Sequence, residues 1–200
     1  QEIDGIVLYA AADCTGHGVP GAMVSVVCHN ALNRAVREYG LREPAKILDK
    51  TRDIVIETLK NSHQESISIK DGMDIALCSV NFNSGELQYA GANNSLYIIN
   101  PNRSVAVENA KIFGEKGEGF EIKADKQPVS NHFNNEPFTN HIIKLEQGDC
   151  IYSFSDGYPD QFGGERGKKF MYKKFKYLLI DIYHKPISQQ LLELENTFDN

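Results

Sequence analysis

The chain has 200 residues, of which 41% are hydrophobic and 24% charged, with a formal net charge of −6. This size and composition suit one globular domain and exclude wholesale disorder. The mildly acidic balance excludes the basic surface that binds nucleic acid, DNA included, or an anionic membrane. The longest apolar run, residues 6–12, is far shorter than the roughly 20 residues that span a bilayer.

The ends of the chain and its cysteines predict a domain excised from a longer cytoplasmic protein. The first residue is Gln1 rather than Met, and no charged-then-apolar segment opens the sequence. The four cysteines are scattered and mostly lie in apolar stretches, which is typical of reduced core thiols.

The first 70 residues predict one strand and two helices. Residues 6–12 read as a buried central strand that stops at Asp13, followed by a glycine-rich loop over 13–21. A helix then begins near Pro20 and ends by Gly40, with helical spacing of Val24, Cys28, Leu32, Ala35 and Tyr39. A second helix begins at Pro44 with Leu48, Val55 and Leu59 on one face. Residues 61–70 are polar and predict a surface loop.

The rest of the chain predicts strands and then two helices. Strands over 73–82, 87–90, 95–100 and 104–108 form an antiparallel meander, and two more follow over 142–145 and 150–155. The two closing helices carry apolar stripes, namely Met171, Phe175, Leu178 and Ile182, then Ile187, Leu191, Leu194 and Phe198. This order predicts one α+β domain in which helices cover a largely antiparallel sheet.

Two carboxylates with glycines beside them follow predicted strands: Asp13 in Asp-Cys-Thr-Gly-His-Gly, and Asp156 in Ser-Asp-Gly. If the strand ends converge, the two carboxylates repel each other, and a hard divalent cation such as Mg²⁺ or Mn²⁺ relieves the repulsion. The loop after Asp13 leads into a helix whose first N–H groups favour an anion such as phosphate. A metal site beside an anion site suits the hydrolysis of phosphate esters.

Each of these residues also has an ordinary interpretation. Asp-Gly is a common turn pair, Asp13 could cap a helix, and His17 could be an exposed loop histidine. Asp74 is followed by an apolar run. A carboxylate buried in such a strand needs a partner or a metal ion, but Asp74 could equally lie at the solvated start of the strand.

Residues 163–169 do not form a phosphate-binding P-loop, because Lys169 stands where that motif requires Ser or Thr. We interpret the segment as a flexible loop before a basic helix start. Arg166, Lys168 or Lys169 could then meet a charged substrate.

Four motifs occur together in order: DCTGHGVPGAM at 13–23, DGMDIAL at 71–77, YAGANN at 89–94 and FSDGYPDQFGG at 154–164. With these motifs the chain resembles the bacterial branch of metal-dependent protein phosphatases named after stage II sporulation protein E. That branch is related to the type-2C serine/threonine phosphatases. The resemblance covers nearly the whole chain.

The resemblance implies an α-β-β-α sandwich of two antiparallel sheets flanked by helix pairs, with a two-metal Mn²⁺ or Mg²⁺ site at one edge between the sheets. It implies hydrolysis of protein phosphoserine or phosphothreonine by metal-activated water, without a phospho-enzyme. The resemblance makes Asp13 and Asp156 the catalytic metal ligands, and it makes the Cys14 backbone carbonyl a further metal ligand. Gly16, His17 and Asp74 are expected near the substrate, Asp74 in a supporting role.

The resemblance also implies a domain over 1–200 that is truncated at both ends, because the family's upstream Gly-Asp strand and its final strand with paired aspartates are missing. His17 lies four residues after Asp13 rather than two, so the type-2C general-acid role is not assigned to it. Two functional alternatives stay open: an active phosphatase, or a weak or inactive phosphatase-fold module that acts through protein contacts.

The same resemblance predicts the output module of a bacterial signalling protein. Its implied partners are a phosphoprotein substrate, such as an anti-sigma-factor antagonist, and a sensor domain upstream in the same chain. A homodimer is compatible with this role. The expected location is the cytoplasm, including the cytoplasmic part of a larger membrane-associated sensor.

Overall fold

A computed structural model describes residues 2–3, 5–60, 71–133, 135–163 and 167–199. Within these residues the helices are α1 (Gly18–Arg37), α2 (Pro44–Lys60), α3 (Tyr172–Ile182) and α4 (Ile187–Asp199). The strands are β1 (Glu2–Ile3), β2 (Ile6–Cys14), β3 (Met73–Asn81), β4 (Glu86–Ala92), β5 (Leu96–Ile99), β6 (Lys111–Phe113), β7 (Gly119–Ile122), β8 (His141–Lys144), β9 (Cys150–Ser153), β10 (Phe162–Gly163) and β11 (Lys168–Lys169).

Two antiparallel sheets stack between two pairs of helices. The first sheet has the strand order β1-β2-β3-β4-β8, and the second has the order β6-β7-β5-β9. Strands β10 and β11 form a separate short hairpin. The predicted α+β class and α-β-β-α sandwich are confirmed.

Strand β3 shows why the layers form, because successive side chains of a strand point to opposite faces of its sheet. Ile75 and Leu77 pack into an apolar cluster with α1 and α2, whereas Ala76 and Cys78 pack into the cluster between the sheets. Since both faces are covered, β3 is almost entirely buried.

Strand β5 does the same for the second sheet. Leu96 and Ile98 enter the cluster between the sheets, and Tyr97 and Ile99 pack against α3. From α3 this outer cluster receives the side chains of Phe175, Leu179 and Ile182. Three apolar interfaces therefore hold four layers together.

The first predicted strand differs from its expectation in length and burial. Strand β2 extends to Cys14, so that Asp13 lies within the strand rather than after it. Leu8 is buried, but Ala10 and Ala12 are exposed. The strand is not a buried central one, because its outer neighbour β1 has only two residues.

The helices of the first pair follow the predicted spacing. The first begins at Gly18, slightly before the predicted Pro20, and buries Val24, Cys28 and Ala35 but leaves Tyr39 exposed beyond its end. The second begins at Pro44 as predicted and buries Leu48, Val55 and Leu59. The predicted loop over 61–70 lies outside the described residues.

The predicted meander is wrong after β4. Strands β4 and β5 belong to different sheets, and so do β8 and β9. The strand predicted over 104–108 does not form, because the Glu146 carboxylate accepts the backbone N–H groups of Ser104 and Val105. Those two donors are therefore used by a side chain and not by a strand partner.

The last helix buries its predicted apolar stripe only in part: Leu194 packs against the cluster around α3, and the side chain of Phe198 lies outside the described residues. Ile187 and Leu191 are 77% and 55% exposed, while Gln190 is buried and hydrogen-bonds the Tyr183 and Lys185 carbonyls. The buried side of α4 is thus partly polar. Met171, predicted in the stripe of α3, is exposed just before that helix.

All four cysteines are free, as the sequence predicts, although only Cys28 and Cys78 are fully buried. None of the described helices has the length and apolar character that crossing a membrane requires.

Candidate functional site

Asp13 and Asp74 face each other across the β2–β3 ladder, where they are direct register partners. Directly opposed residues of antiparallel strands project from the same face of the sheet. Ala76, two residues after Asp74, packs between the two sheets. Both carboxylates therefore project toward the gap between the sheets, at the end of the sandwich where β2 ends and β3 begins.

Asp156 reaches the same place from the second sheet, three residues after the end of β9. Its carboxyl group is close enough to share a hydrogen bond with Asp13. Partial burial, then the charges of Asp13 and Asp160, raise the pKa of Asp156 above its ordinary value. The two acids that the sequence singled out, far apart along the chain, are brought together.

Asp74 is held by a residue at the crossing between the sheets. The side-chain amide of Asn93 donates a hydrogen bond to Asp74 Oδ1 (2.8 Å). Burial raises the pKa of Asp74; the Asn93 bond opposes this, and the charges of Asp156 and Asp13 add to it. Asn93 has φ +58°, a left-handed conformation that Asn tolerates better than most residues.

The loop that joins β2 to α1 is tied to the start of β3. The Thr15 backbone N–H donates to the Gly72 carbonyl (2.9 Å), and the Gly72 N–H donates to Thr15 Oγ1 (3.0 Å). Gly16 has φ +90°, and a Cβ on Gly21 would lie 2.8 Å from the Gly16 carbonyl. This close packing explains the two glycines, and it fixes the loop immediately after Asp13.

His17 and Cys14 flank the carboxylate pair in different ways. His17 is the N-cap residue of α1, and its side chain makes no capping hydrogen bond. The Cys14 side chain packs against the helix-side core, and a hydrogen bond from the Cys28 thiol lowers its pKa. The Cys14 thiol is therefore on the opposite face of β2 from the Asp13 carboxylate.

Three residues around Asp156 were not identified as a group from the sequence. The Asp160 backbone N–H donates to the Asp156 carbonyl (2.9 Å), which closes a turn that brings the two acids close. Lys169 Nζ lies 2.7 Å from Asp160 Oδ2. Burial, then the charges of Asp156, Asp160 and Asp74, raise the pKa of Tyr172.

Two of the three basic residues predicted to meet a charged substrate are described, Lys168 and Lys169, and they are neighbours on β11. Lys169 lies beside the acids and favours the ionised form of Asp156. Lys168 is opposite Gly163 in the hairpin, and Arg166 lies outside the described residues. Only the spacing of Asp160 from Asp156 gave a local signal, because Lys169 and Tyr172 reach the site through tertiary structure.

The site is acidic: the charge of Asp13 disfavours the ionised forms of Asp74 and Asp156, and Asp160 lies close to Asp156 and pairs with Lys169. Carboxylate oxygens are the ligands that Mg²⁺ and Mn²⁺ prefer. Among the described residues, no group of three or more His, Cys, Asp or Glu side chains has the arrangement of a complete metal site. The arrangement thus supplies a carboxylate pair with a third acid beside it.

Comparisons with solved structures find the same architecture. The SiaA-PP2C domain of Pseudomonas aeruginosa is 27% identical, with a TM-score of 0.78 over 99% of this chain and 69% of that chain. The RsbU and RsbW domains of a Mycobacterium tuberculosis protein are 17% identical, with a TM-score of 0.64 over 98% of this chain and 47% of that chain. RsbX, solved with magnesium, is 16% identical, with a TM-score of 0.56 over 100% and 75%.

The two more distant structures support the fold alone. No curated protein sequence matches the chain. A family model described as stage II sporulation protein E (SpoIIE) matches residues 4–198. This match covers almost the whole chain, and the chain therefore belongs to the SpoIIE family of PP2C-type phosphatase domains.

Proposed function

We propose that the chain is a metal-dependent protein phosphatase domain that hydrolyses phosphoserine or phosphothreonine. The observation that carries the proposal is the meeting of Asp13 and Asp156, one from each sheet, beside Asp74. Family membership supports the reaction class. The three carboxylates lie close enough together to hold the divalent cation that the reaction needs.

The carboxylates suit a divalent cation. Like charges held together in a partly buried place are costly unless a cation offsets them. Asp13 and Asp156 would hold the cation through carboxylate oxygens, and the Cys14 carbonyl is the further ligand that the family resemblance implies. Mg²⁺ and Mn²⁺ match these hard oxygen donors.

A bound divalent cation would supply a nucleophilic water at neutral pH and offset the charge of the phosphoryl oxygens. The chain's own residues would do the rest. Asp13 and Asp156 would fix the cation relative to both sheets, and Asp74, held by Asn93, would add a third carboxylate beside them. Lys169 offsets part of the acidic charge, so that a phosphate dianion meets less repulsion.

Gly16 and His17 lie in the loop that follows Asp13, and their proposed place is beside the substrate. Gly16 lets the loop turn closely, and His17 stands at the start of α1, where exposed N–H groups favour an anion. No acid–base role is assigned to His17.

The proposed biological role is the output of a signalling protein. The SiaA-PP2C domain is similar over almost the whole chain, and the family resemblance implies a phosphoprotein such as an anti-sigma-factor antagonist as the substrate. A sensor domain upstream in the same chain, a homodimer and a cytoplasmic location belong to the same proposal.

A second candidate is a phosphatase-fold module with little or no catalysis, acting through protein contacts. The observation that favours it is the incomplete ligand set within the described residues. The two candidates differ in whether Mn²⁺ binds at Asp13 and Asp156 and whether phosphate is released.

Two measurements on the chain and its Asp13→Asn and Asp156→Asn variants test the proposal. Calorimetric titration with Mn²⁺ is expected to show binding to the parent chain and at least about tenfold weaker binding to each variant. Release of phosphate from an aryl phosphate is expected with Mn²⁺ and lost in both variants. Binding without any turnover favours the second candidate, and the absence of both overturns the metal-dependent proposal.

A further inference from the structure

Basic residues are concentrated on one segment of an otherwise acidic chain. The formal net charge is −6, yet five of the 21 Lys and Arg residues lie within nine positions: Lys168, Lys169, Lys173, Lys174 and Lys176. Most of this segment forms the beginning of α3. The site proposed above uses only Lys169, so the other lysines have no role in it.

A cleft of about 330 Å³ opens between β6 and α3. Its charged lining consists of Lys111 from β6 and Lys173 and Lys176 from α3. Its apolar lining consists of Phe113, Tyr177 and Ile180. A cleft with this composition accommodates an apolar side chain flanked by negative charge.

The lysines of the cleft differ in how well their charge is already offset. Lys176 Nζ lies 2.9 Å from Glu121 Oε2 and 5.0 Å from the ring centres of Tyr97 and Phe113, so that it is fixed in place. Lys173 and Lys111 form no salt bridge within the described residues, although Lys111 is the register partner of Glu121.

One further carboxylate lies at the edge of the cleft. The Glu118 side chain is beside Gly114 and accepts a hydrogen bond from the Lys116 backbone N–H. The three lysines of the cleft outnumber the two carboxylates, Glu118 and Glu121. The cleft therefore has an excess of positive charge, and a molecule that binds in it is expected to be acidic.

The cleft is connected to the carboxylate site by α3. Tyr172, the first residue of α3, lies close to Asp156 and Asp160, and Lys173 follows it directly. From Tyr172 to Ile180 the helix advances about 12 Å, at about 1.5 Å per residue. An extended peptide advances about 3.3 Å per residue, and so covers that distance in roughly four residues.

We propose that the cleft between β6 and α3 binds an acidic segment of the phosphoprotein substrate, about three to six residues from the phosphorylated residue. The proposal rests on the proposed phosphatase function. Lys111 and Lys173 attract the acidic side chains, and Phe113, Tyr177 and Ile180 receive an apolar side chain between them. The substrate's phosphorylated residue then lies at Asp13 and Asp156.

The test compares two phosphopeptides of equal length in the presence of Mn²⁺. One carries Glu at the third to sixth positions on both sides of the phosphoserine, and the other carries Gln at those positions. The parent chain is expected to prefer the acidic peptide about tenfold in kcat/KM, as two partly exposed charge pairs allow. The Lys111→Gln/Lys173→Gln double variant is expected to lose that preference.

A matched control removes two lysines elsewhere. The Lys46→Gln/Lys50→Gln double variant changes the net charge equally on α2, in the opposite helix layer, and should retain the preference. An aryl phosphate is too small to reach the cleft, and its hydrolysis should be equal in all three proteins.

The outcomes separate this inference from the proposed function. Equal aryl phosphate hydrolysis without a preference for the acidic peptide overturns the docking cleft and leaves the phosphatase intact. If no protein hydrolyses the aryl phosphate, fluorescence anisotropy with the labelled acidic peptide decides. The cleft is supported if binding is about tenfold weaker in the Lys111→Gln/Lys173→Gln variant and unchanged in the control variant. Equal binding in all three proteins overturns it.

Discussion

Asp13 and Asp74 are cross-strand partners on β2 and β3, and Asp156 from the second sheet lies within reach of both. Directly opposed like charges destabilise an antiparallel pair. The fold therefore accepts an electrostatic cost at one position of its ladder, in the place where we propose that the cation binds.

Replacing Asp74 by Asn should stabilise the metal-free chain. The substitution removes the opposed charge but keeps an oxygen that can accept the Asn93 hydrogen bond. The expected gain in the free energy of unfolding is about 0.2–1 kcal/mol, measured by urea unfolding in a chelator. Asp181→Asn on the exposed side of α3 is the control, and an equal gain there would show a general charge effect instead.

The pH dependence of stability should report Asp156. Its pKa is raised in the folded state, so the folded chain holds the proton more strongly than the unfolded chain. The stabilisation of the folded chain by this proton is fully present at pH values below the ordinary pKa of 3.8. It is lost as the pH rises through the higher pKa of the folded state.

Comparison with Asp156→Asn isolates this effect from the other titrating groups. The variant has no such loss, so its stability relative to the parent should increase as pH rises from about 4 toward about 7 in a chelator. The measurement is urea unfolding at several pH values. A difference between the two proteins that stays constant with pH would contradict the assignment.

Local patterns predicted most of the elements because their periods are strong. The α2 face of Leu48, Val55 and Leu59 and the continuous, largely apolar run of β3 are recognisable without tertiary information. The exchange between sheets at Asn93 was missed, since β4 and β5 read as consecutive strands and only long-range pairing assigns them to different sheets. Burial of β2 was overestimated because an apolar run does not show whether a neighbour covers it.

The site was predictable to the extent that its residues carry local motifs. Asp13 and Asp156 each have glycines beside them, and both acids reach one place. Asn93 and Tyr172 have no such signal, because they contact the acids only after the sheets have paired. Their roles follow from topology and could not be obtained from spacing.

A buried ion pair at the opposite end of the sandwich should matter for stability alone. Arg103 bonds Asp149, and the two side chains are 4% and 3% exposed. Arg103→Met leaves the Asp149 charge buried without its partner, which should cost about 3–5 kcal/mol in urea unfolding.

The Arg103→Met/Asp149→Asn double variant is the control, because it also removes the orphaned charge and should recover part of the loss. Mn²⁺ affinity should be the same in all of these proteins. A change in metal affinity would show that the two ends of the sandwich are coupled.

Lys169 should weaken cation binding at the site that it helps to neutralise. Its ammonium group lies 2.7 Å from Asp160 Oδ2 and favours ionised Asp156, so its charge opposes that of a divalent cation bound at Asp156. Lys169→Gln is expected to tighten Mn²⁺ binding about two- to fivefold, the size of a half-exposed charge pair. Lys168→Gln is the matched control, since the neighbouring residue of a strand projects to the other face of the hairpin. Calorimetric titration distinguishes the cases: tightening in Lys169→Gln alone supports a local competition, whereas equal changes in both variants would mean that only the net charge matters.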